Sequence, residues 1–483
     1  MSSPSQSNRQ QHRLESESVG FADPTSTPSV DRSALDPFEA DIALQRLITA
    51  VQQWHFQSNR LLHATEPVAH LDAFQWLHHN PLGERCLWRG RDGQTLWAGV
   101  GAAVVLTASA DSDYDDLFKR MHHVLEHHDK AFLGGIAFNH RPGDSEWQDF
   151  PAARFILPAV ALHQLGDHCE LQINLYASSH EAFVRQRQQL LQTLESLKLA
   201  WPESVGPAPS DPVQRQDHMV YSACRRRVHD VLHQIDQGEL EKAVLARRVD
   251  VLLDHVVPAF PVLRRWQKNN LGCFAFAFEI GSSLFMGCTP ERLFRREGHR
   301  IATEALAGTV ARDSDPETDA GLARALLNDP KLSLEHQLVA GFIQAQLQPF
   351  TEQLYSPDLP GVIKLDRIQH RYLPISGQLR PGVSDAQLLD CLHPTPAVCG
   401  VPRIAAQELI QRLESTQRGW YSGAVGLVSP QTVEFAVAIR AALVRGNQVS
   451  CFSGVGIVAG SEPEAEWQEL EAKISSFLDA LMH

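Results

Sequence analysis

The chain has 483 residues, 43% of them hydrophobic, and its 57 acidic against 43 basic side chains leave a formal charge of −14. That is enough apolar sequence for a large core, with about two to four domains expected from length alone. The acidic balance, with no basic block, argues against nucleic acid or an anionic membrane as partner. Eight scattered cysteines form no CxxC pair and read as reduced thiols. The opening "MSSPSQSNRQQHRLESES" lacks an apolar stretch, and no run is long enough to span a bilayer, so the expectation is a cytoplasmic protein.

Residues 1–36, rich in Ser, Gln, Pro and charge, read as a disordered tail. A first part, 37–200, mixes a helical pattern ("ALQRLITAVQQW") with strand patterns ("TLWAGVGAAVVLTA", "AFLGGIAFN", "ARFILPAVAL"). In "HHVLEHH", His123 and His127 stand one helical turn apart, but no third ligand with zinc spacing accompanies them, so they read as a solvated face. A connection dense in Pro and Ser, 199–217, leads to a second part, 215–483. There "HMVYSACRRRVHDVLHQIDQG" predicts an amphipathic helix stopping near Gly238. Strand-like runs follow at 242–252, "GCFAFAFEI", "SSLFMG" and "RIATEALAG". A long helix is expected from Asp329-Pro330, an acid cap followed by proline at the first helical position. Gly446-Asn447 predicts a hairpin turn. Ser461 and Glu464 predict a capping box for a last helix buried along Trp467, Leu470, Ile474, Phe477 and Leu481. Strands and helices come in blocks, which favours the α+β class over a doubly wound parallel sheet.

Several residues stand out chemically. Lys242 opens a Val- and Ala-rich run, either as an edge lysine or as an amine placed to take a proton. Glu291 follows a Thr-Pro turn; it is either a proton donor raised by desolvation or a surface partner of Arg292. Glu335 falls near the buried boundary of the long helix. Glu466 and Glu469 share a helix face, with Lys473 placed either for an ordinary ion pair or beside a Mg²⁺ site. Arg440, in an apolar strand "FAVAIRAAL", needs an anionic partner, either a ligand or an acid such as Glu434. The glycines of "SGVGIV" let backbone approach a ligand, or a neighbouring strand.

In order along the chain, "KAVLARR", "GCTPERLF", "TEALAGT", "LEHQLV", "LHPTPAVCG", "RGWYSGAVG", "FAVAIR", "SGVGIV" and "PEAEWQELEAK" resemble the chorismate-utilising enzymes, and within them the isochorismate synthases. In the first part, "FLGGIAFN" and "WQDFPAARFILP" look more like the menaquinone-pathway members than the siderophore ones. The resemblance implies large antiparallel sheets flanked by helices, with halves that interlock and an active site formed mainly by the second part. It implies chorismate as substrate, Mg²⁺ as cofactor, and a monomer or homodimer. By resemblance, Lys242 is the general base for water attack at C2, and Glu291 the general acid for the departing C4 hydroxyl. Glu335 and Glu469 are the metal ligands, with Glu466 and Lys473 around them. Arg440, Tyr421, Thr395 and His370 line the substrate, together with Gly454, Gly456 and the Ala307-Gly308-Thr309 turn. Lys242 together with Ala307 points to water as nucleophile, since ammonia-using relatives differ at these positions. A salicylate synthase, which goes on to eliminate pyruvate, is the alternative.

Overall fold

The structure is a computed structural model that describes residues 37–482 except 110–113, 127, 140–145, 202–211 and 366–367. The expected tail and His127 lie outside the described residues.

Two strand systems meet at a shared strand, Ala153–Leu165. On one side, Thr95–Ala108 leads through Arg85–Arg89, Phe274–Ile280, Ser283–Thr289, Ala441–Arg445 and Gln448–Val458 to Lys242–Leu253. On the other, Phe132–Ile136 leads through Ala424–Val428, Thr432–Val437, Arg292–Glu297 and Arg300–Ala311 to Ile368–Leu379. Every pairing is antiparallel, and helices cover the outer faces, so the class is α+β. Strands of the first part are threaded into the second: Arg85–Arg89 pairs with Phe274–Ile280, and Phe132–Ile136 with Ala424–Val428.

Period-two alternation explains the packing. In "FAFAFEI", Phe274, Phe276 and Phe278 face an aromatic core shared with Trp88, Phe285 and Trp420. The intervening Ala275 and Ala277 face a second core under the helices Ala73–His79, Ala259–Lys268 and Pro463–Met482. The small residues let helices sit close, while the rings fill the space between the two strand systems.

Two connections cross between the systems at one bend. Strand Ser283–Thr289 continues through Pro290-Glu291 into Arg292–Glu297, and Thr432–Val437 continues through 438–440 into Ala441–Arg445. They run side by side at the bend: Val437 N–H donates to the Glu291 carbonyl and Cys288 N–H to the Arg440 carbonyl. Strands that switch sheets need a sharp bend. This corrects the expectation of Arg440 within a strand. It sits between strands with φ of 47°, because a regular strand cannot turn that corner.

The hairpin turns at Gly446-Asn447, with Arg445 opposite Gln448. Asp329 caps the long helix Pro330–Leu347, accepting the Leu332 N–H at 2.8 Å. The last helix, Pro463–Met482, begins later than expected. Proline at the first helical position leaves Ser461 outside, where its hydroxyl accepts the Val458 N–H and closes the turn after the strand. The end of the Pro-rich connection, Pro212–Asp217, forms a strand along Lys242–Leu253.

Candidate active site

Lys242 is not an edge lysine. Its backbone lies between Val401 on one side and Val458 on the other, and its side chain is fully buried. The ammonium stands 2.9 Å from Glu335 Oε1, at ion-pair distance, with no hydrogen bond of good angle among the described residues. The pair fits because position 456 is glycine. A Cβ there would stand 2.3 Å from Glu335 Oε1 and 2.8 Å from Lys242 Cε. Arg418 fixes the strand behind the lysine: fully buried, it donates to the Val244 and Val398 carbonyls and pairs with Glu414.

Glu291 is 4% exposed at the bend between strand systems. Burial, then the nearby Glu304 carboxylate, pushes its carboxyl up to about 8 against the pull of Lys242, Lys473 and Arg440. Arg292, its neighbour in sequence, turns away to Glu434 at 3.0 Å and so does not pair with it. A carboxylic acid protonated near neutral pH, in the field of two lysines and an arginine, is suited to give up a proton.

Charged side chains of two helices reach the glycine-bearing strand Gln448–Val458, while Glu469, on the last helix, is exposed. Glu335 arrives beside Gly456. On the last helix, Lys473 donates to the Gly454 carbonyl at 2.8 Å and pairs with Glu469 at 2.7 Å, which places that helix beside Gly454. Glu466 is buried, raised by that burial, and pairs with Lys331. Among the described residues, no group of three or more His, Cys, Asp and Glu side chains stands close enough to hold a metal unaided.

Across the site, a bulge in Arg300–Ala311 at Gly308, with φ of 79°, shifts the register so that Thr309 faces His370. His370 Nδ1 is 2.8 Å from Thr309 Oγ1, and Arg440 Nη2 is 3.0 Å from His370 Nε2. Arginine can only donate, so Nε2 accepts and the neutral ring carries its proton on Nδ1, donating to Thr309. Burial and the Arg440 charge hold the imidazole neutral, well below its usual range. Ala307 packs in the same apolar cluster as Val339 and Ala340.

Tyr421 is buried, stacked on Phe452 at 5.1 Å, with its hydroxyl 3.0 Å from where a Gly454 Cβ would stand. Thr395 lies in the loop whose Gly400 pairs with Ala243. Its buried hydroxyl has no hydrogen-bond partner among the described residues.

The structure thus brings together Lys242, Glu335 and Gly456; Lys473, Glu469 and Gly454; and Thr309, His370 and Arg440, with Glu291 in the field of Lys242, Lys473 and Arg440. Sequence reasoning missed Glu304, Arg91 and Lys331. Glu304 stands inside "TEALAGT" and could have been found as a charge in an otherwise apolar strand. Arg91 sits in an ordinary-looking turn of the first part and carries no such signal.

The sequence pattern of the family described as chorismate binding enzyme matches residues 46–482. Isochorismate synthase MenF of Escherichia coli is 33% identical over 410 residues, covering 83% of this chain and 89% of that protein. MenF of Bacillus subtilis is 30% identical, covering 83% and 88%. The salicylate biosynthesis isochorismate synthase of Pseudomonas aeruginosa is 34% identical, covering 72% and 73%. The solved structure of the Escherichia coli menaquinone-specific MenF superposes with a TM-score of 0.82 at 29% identity, over 92% of this chain and all of that one. The chain belongs to the chorismate-binding enzyme family, and is similar in sequence and fold to its isochorismate synthases.

Proposed function

We propose that this protein converts chorismate to isochorismate by adding water at C2 as the C4 hydroxyl leaves, so that one water enters and one departs. The reading rests on one observation: a fully buried lysine amine and a buried carboxyl, whose desolvation favours the protonated form, lie in each other's field at a site that also holds an arginine and glycine backbone. Lys242, once its own proton has left to solvent, takes the proton of the attacking water as a neutral amine, and Glu291 gives its proton to the departing hydroxyl. Arg440 and Tyr421 hold the enolpyruvyl carboxylate beside Gly454. His370, oriented through Thr309, and the unpartnered hydroxyl of Thr395 face polar groups of the ring.

The donor set suits Mg²⁺, which takes few protein carboxylates and completes its shell with waters and an anionic ligand. Glu335 and Glu469 would hold it, with Glu466 and Lys473 orienting that end of the helix. When bound, the ion supplies charge neutralisation for the ring carboxylate of chorismate. Lys242, 2.9 Å from Glu335 Oε1, would stand beside that end of the site.

The test is chorismate turnover with and without EDTA, with products separated by chromatography. Isochorismate is expected only with the metal, and Lys242→Ala is expected to be inactive. Full activity in EDTA or in Lys242→Ala would refute the proposal, and salicylate with pyruvate would replace it by a salicylate synthase. Relatives named for menaquinone and for salicylate biosynthesis support isochorismate as the shared product.

A further inference from the structure

The carboxylate of Glu304 is wholly buried, yet it is not a core ion pair with a free choice of position. Arg91, in the turn between strands Arg85–Arg89 and Thr95–Ala108, grips it with both terminal nitrogens, at 2.5 and 2.8 Å. The same guanidinium donates to the Pro290 carbonyl at 2.9 Å. Glu304 Oε1 in turn accepts the Arg292 N–H at 3.0 Å. One ion pair therefore holds the backbone immediately before and immediately after Glu291. Arg91 and Arg292 also lie over the same Phe274 ring, at 5.7 and 5.6 Å, which fixes the plane of the clamp.

We infer that Glu304, gripped by Arg91 from the amino-terminal part of the chain, is a positioning residue for Glu291: it fixes the bend that carries the acid and sets its own carboxylate beside it. The inference rests on the acid role proposed above. The charged and titratable groups around Glu291 include Glu304 with its partner Arg91, the adjacent Arg292, and Lys242, Lys473, Arg440 and the Tyr421 hydroxyl. The charges of Lys242, Lys473 and Arg440 favour the ionised acid. After burial, the Glu304 carboxylate opposes them most and favours the protonated acid.

The test uses the full chain. The ionisation of Glu291 is followed by difference infrared titration of its protonated carboxyl band, assigned with Glu291→Gln, and the pH profile of isochorismate formation is measured alongside. In Glu304→Gln, Arg91 loses its counter-charge, so the Glu291 titration and the alkaline limb of the rate should both move down by about one pH unit, with the KM for chorismate nearly unchanged. An unmoved titration overturns the inference. If Glu304→Gln does not fold, Arg91→Lys keeps the charge but loses the two-pronged grip. A kcat reduced about tenfold or more at constant KM then supports the clamp, and a wild-type kcat overturns it. A wild type that makes no isochorismate removes the proposed function instead, while the infrared titration still decides whether Glu304 governs Glu291.

Discussion

Lys242 and Glu335 meet at 2.9 Å although one opens a strand and the other lies on a helix more than ninety residues on. Their approach depends on the missing side chain at position 456. Gly456→Ala should therefore act on the site before it acts on the fold. The new Cβ would displace both charged groups, which predicts about a hundredfold loss in kcat/KM with a stability loss of only ~1–3 kcal/mol. Steady-state kinetics and thermal melting of the same preparation check this; wild-type kcat/KM would show that the close approach is irrelevant.

The raised carboxyl of Glu291 predicts both a rate profile and a stability profile. As the acid, it must be protonated, so kcat should fall as pH rises through about 8. For stability, its folded value lies above the unfolded one of 4.5. Between 4.5 and about 8 the unfolded chain has lost this proton and the folded one keeps it, so the group's contribution declines as pH rises. Glu291→Gln should be inactive, and its Tm relative to wild type should be higher at pH 8 than at pH 5. Equal differences at the two values would contradict the buried, protonated acid.

Arg440 and His370 share one hydrogen bond, and only arginine offers a planar fork there. Arg440→Lys keeps the charge and loses the geometry. We expect kcat/KM for chorismate to fall roughly 10- to 100-fold, mostly through KM, as for a group that binds a carboxylate. A change confined to kcat would move Arg440 from binding to chemistry.

Arg418 makes a purely structural prediction. Removing it strands Glu414 and two carbonyls in the interior. Arg418→Ala should lose about 3–5 kcal/mol, read from denaturant melts. A loss under 1 kcal/mol would mean that the site wall is held by other contacts.

What the sequence by itself determined was local. The cap at Asp329, the turn at Gly446-Asn447 and the buried stripe of the last helix follow from periodicity and cap chemistry, which act over a few residues. The ordered motifs identified the family, and with it the candidates Lys242, Glu291, Glu335 and Arg440. Tertiary structure decided the rest, because it depends on groups far apart in the chain. Only the crossing of two strand systems removes Arg440 from a regular strand and seats it beside the Glu291 bend. Only the interior environment separates Lys242 from an ordinary edge lysine. And only the threading of Arg91 across the molecule reveals that a turn in the first part holds the proposed acid in the second: charge and burial act through space, and sequence distance carries no record of them.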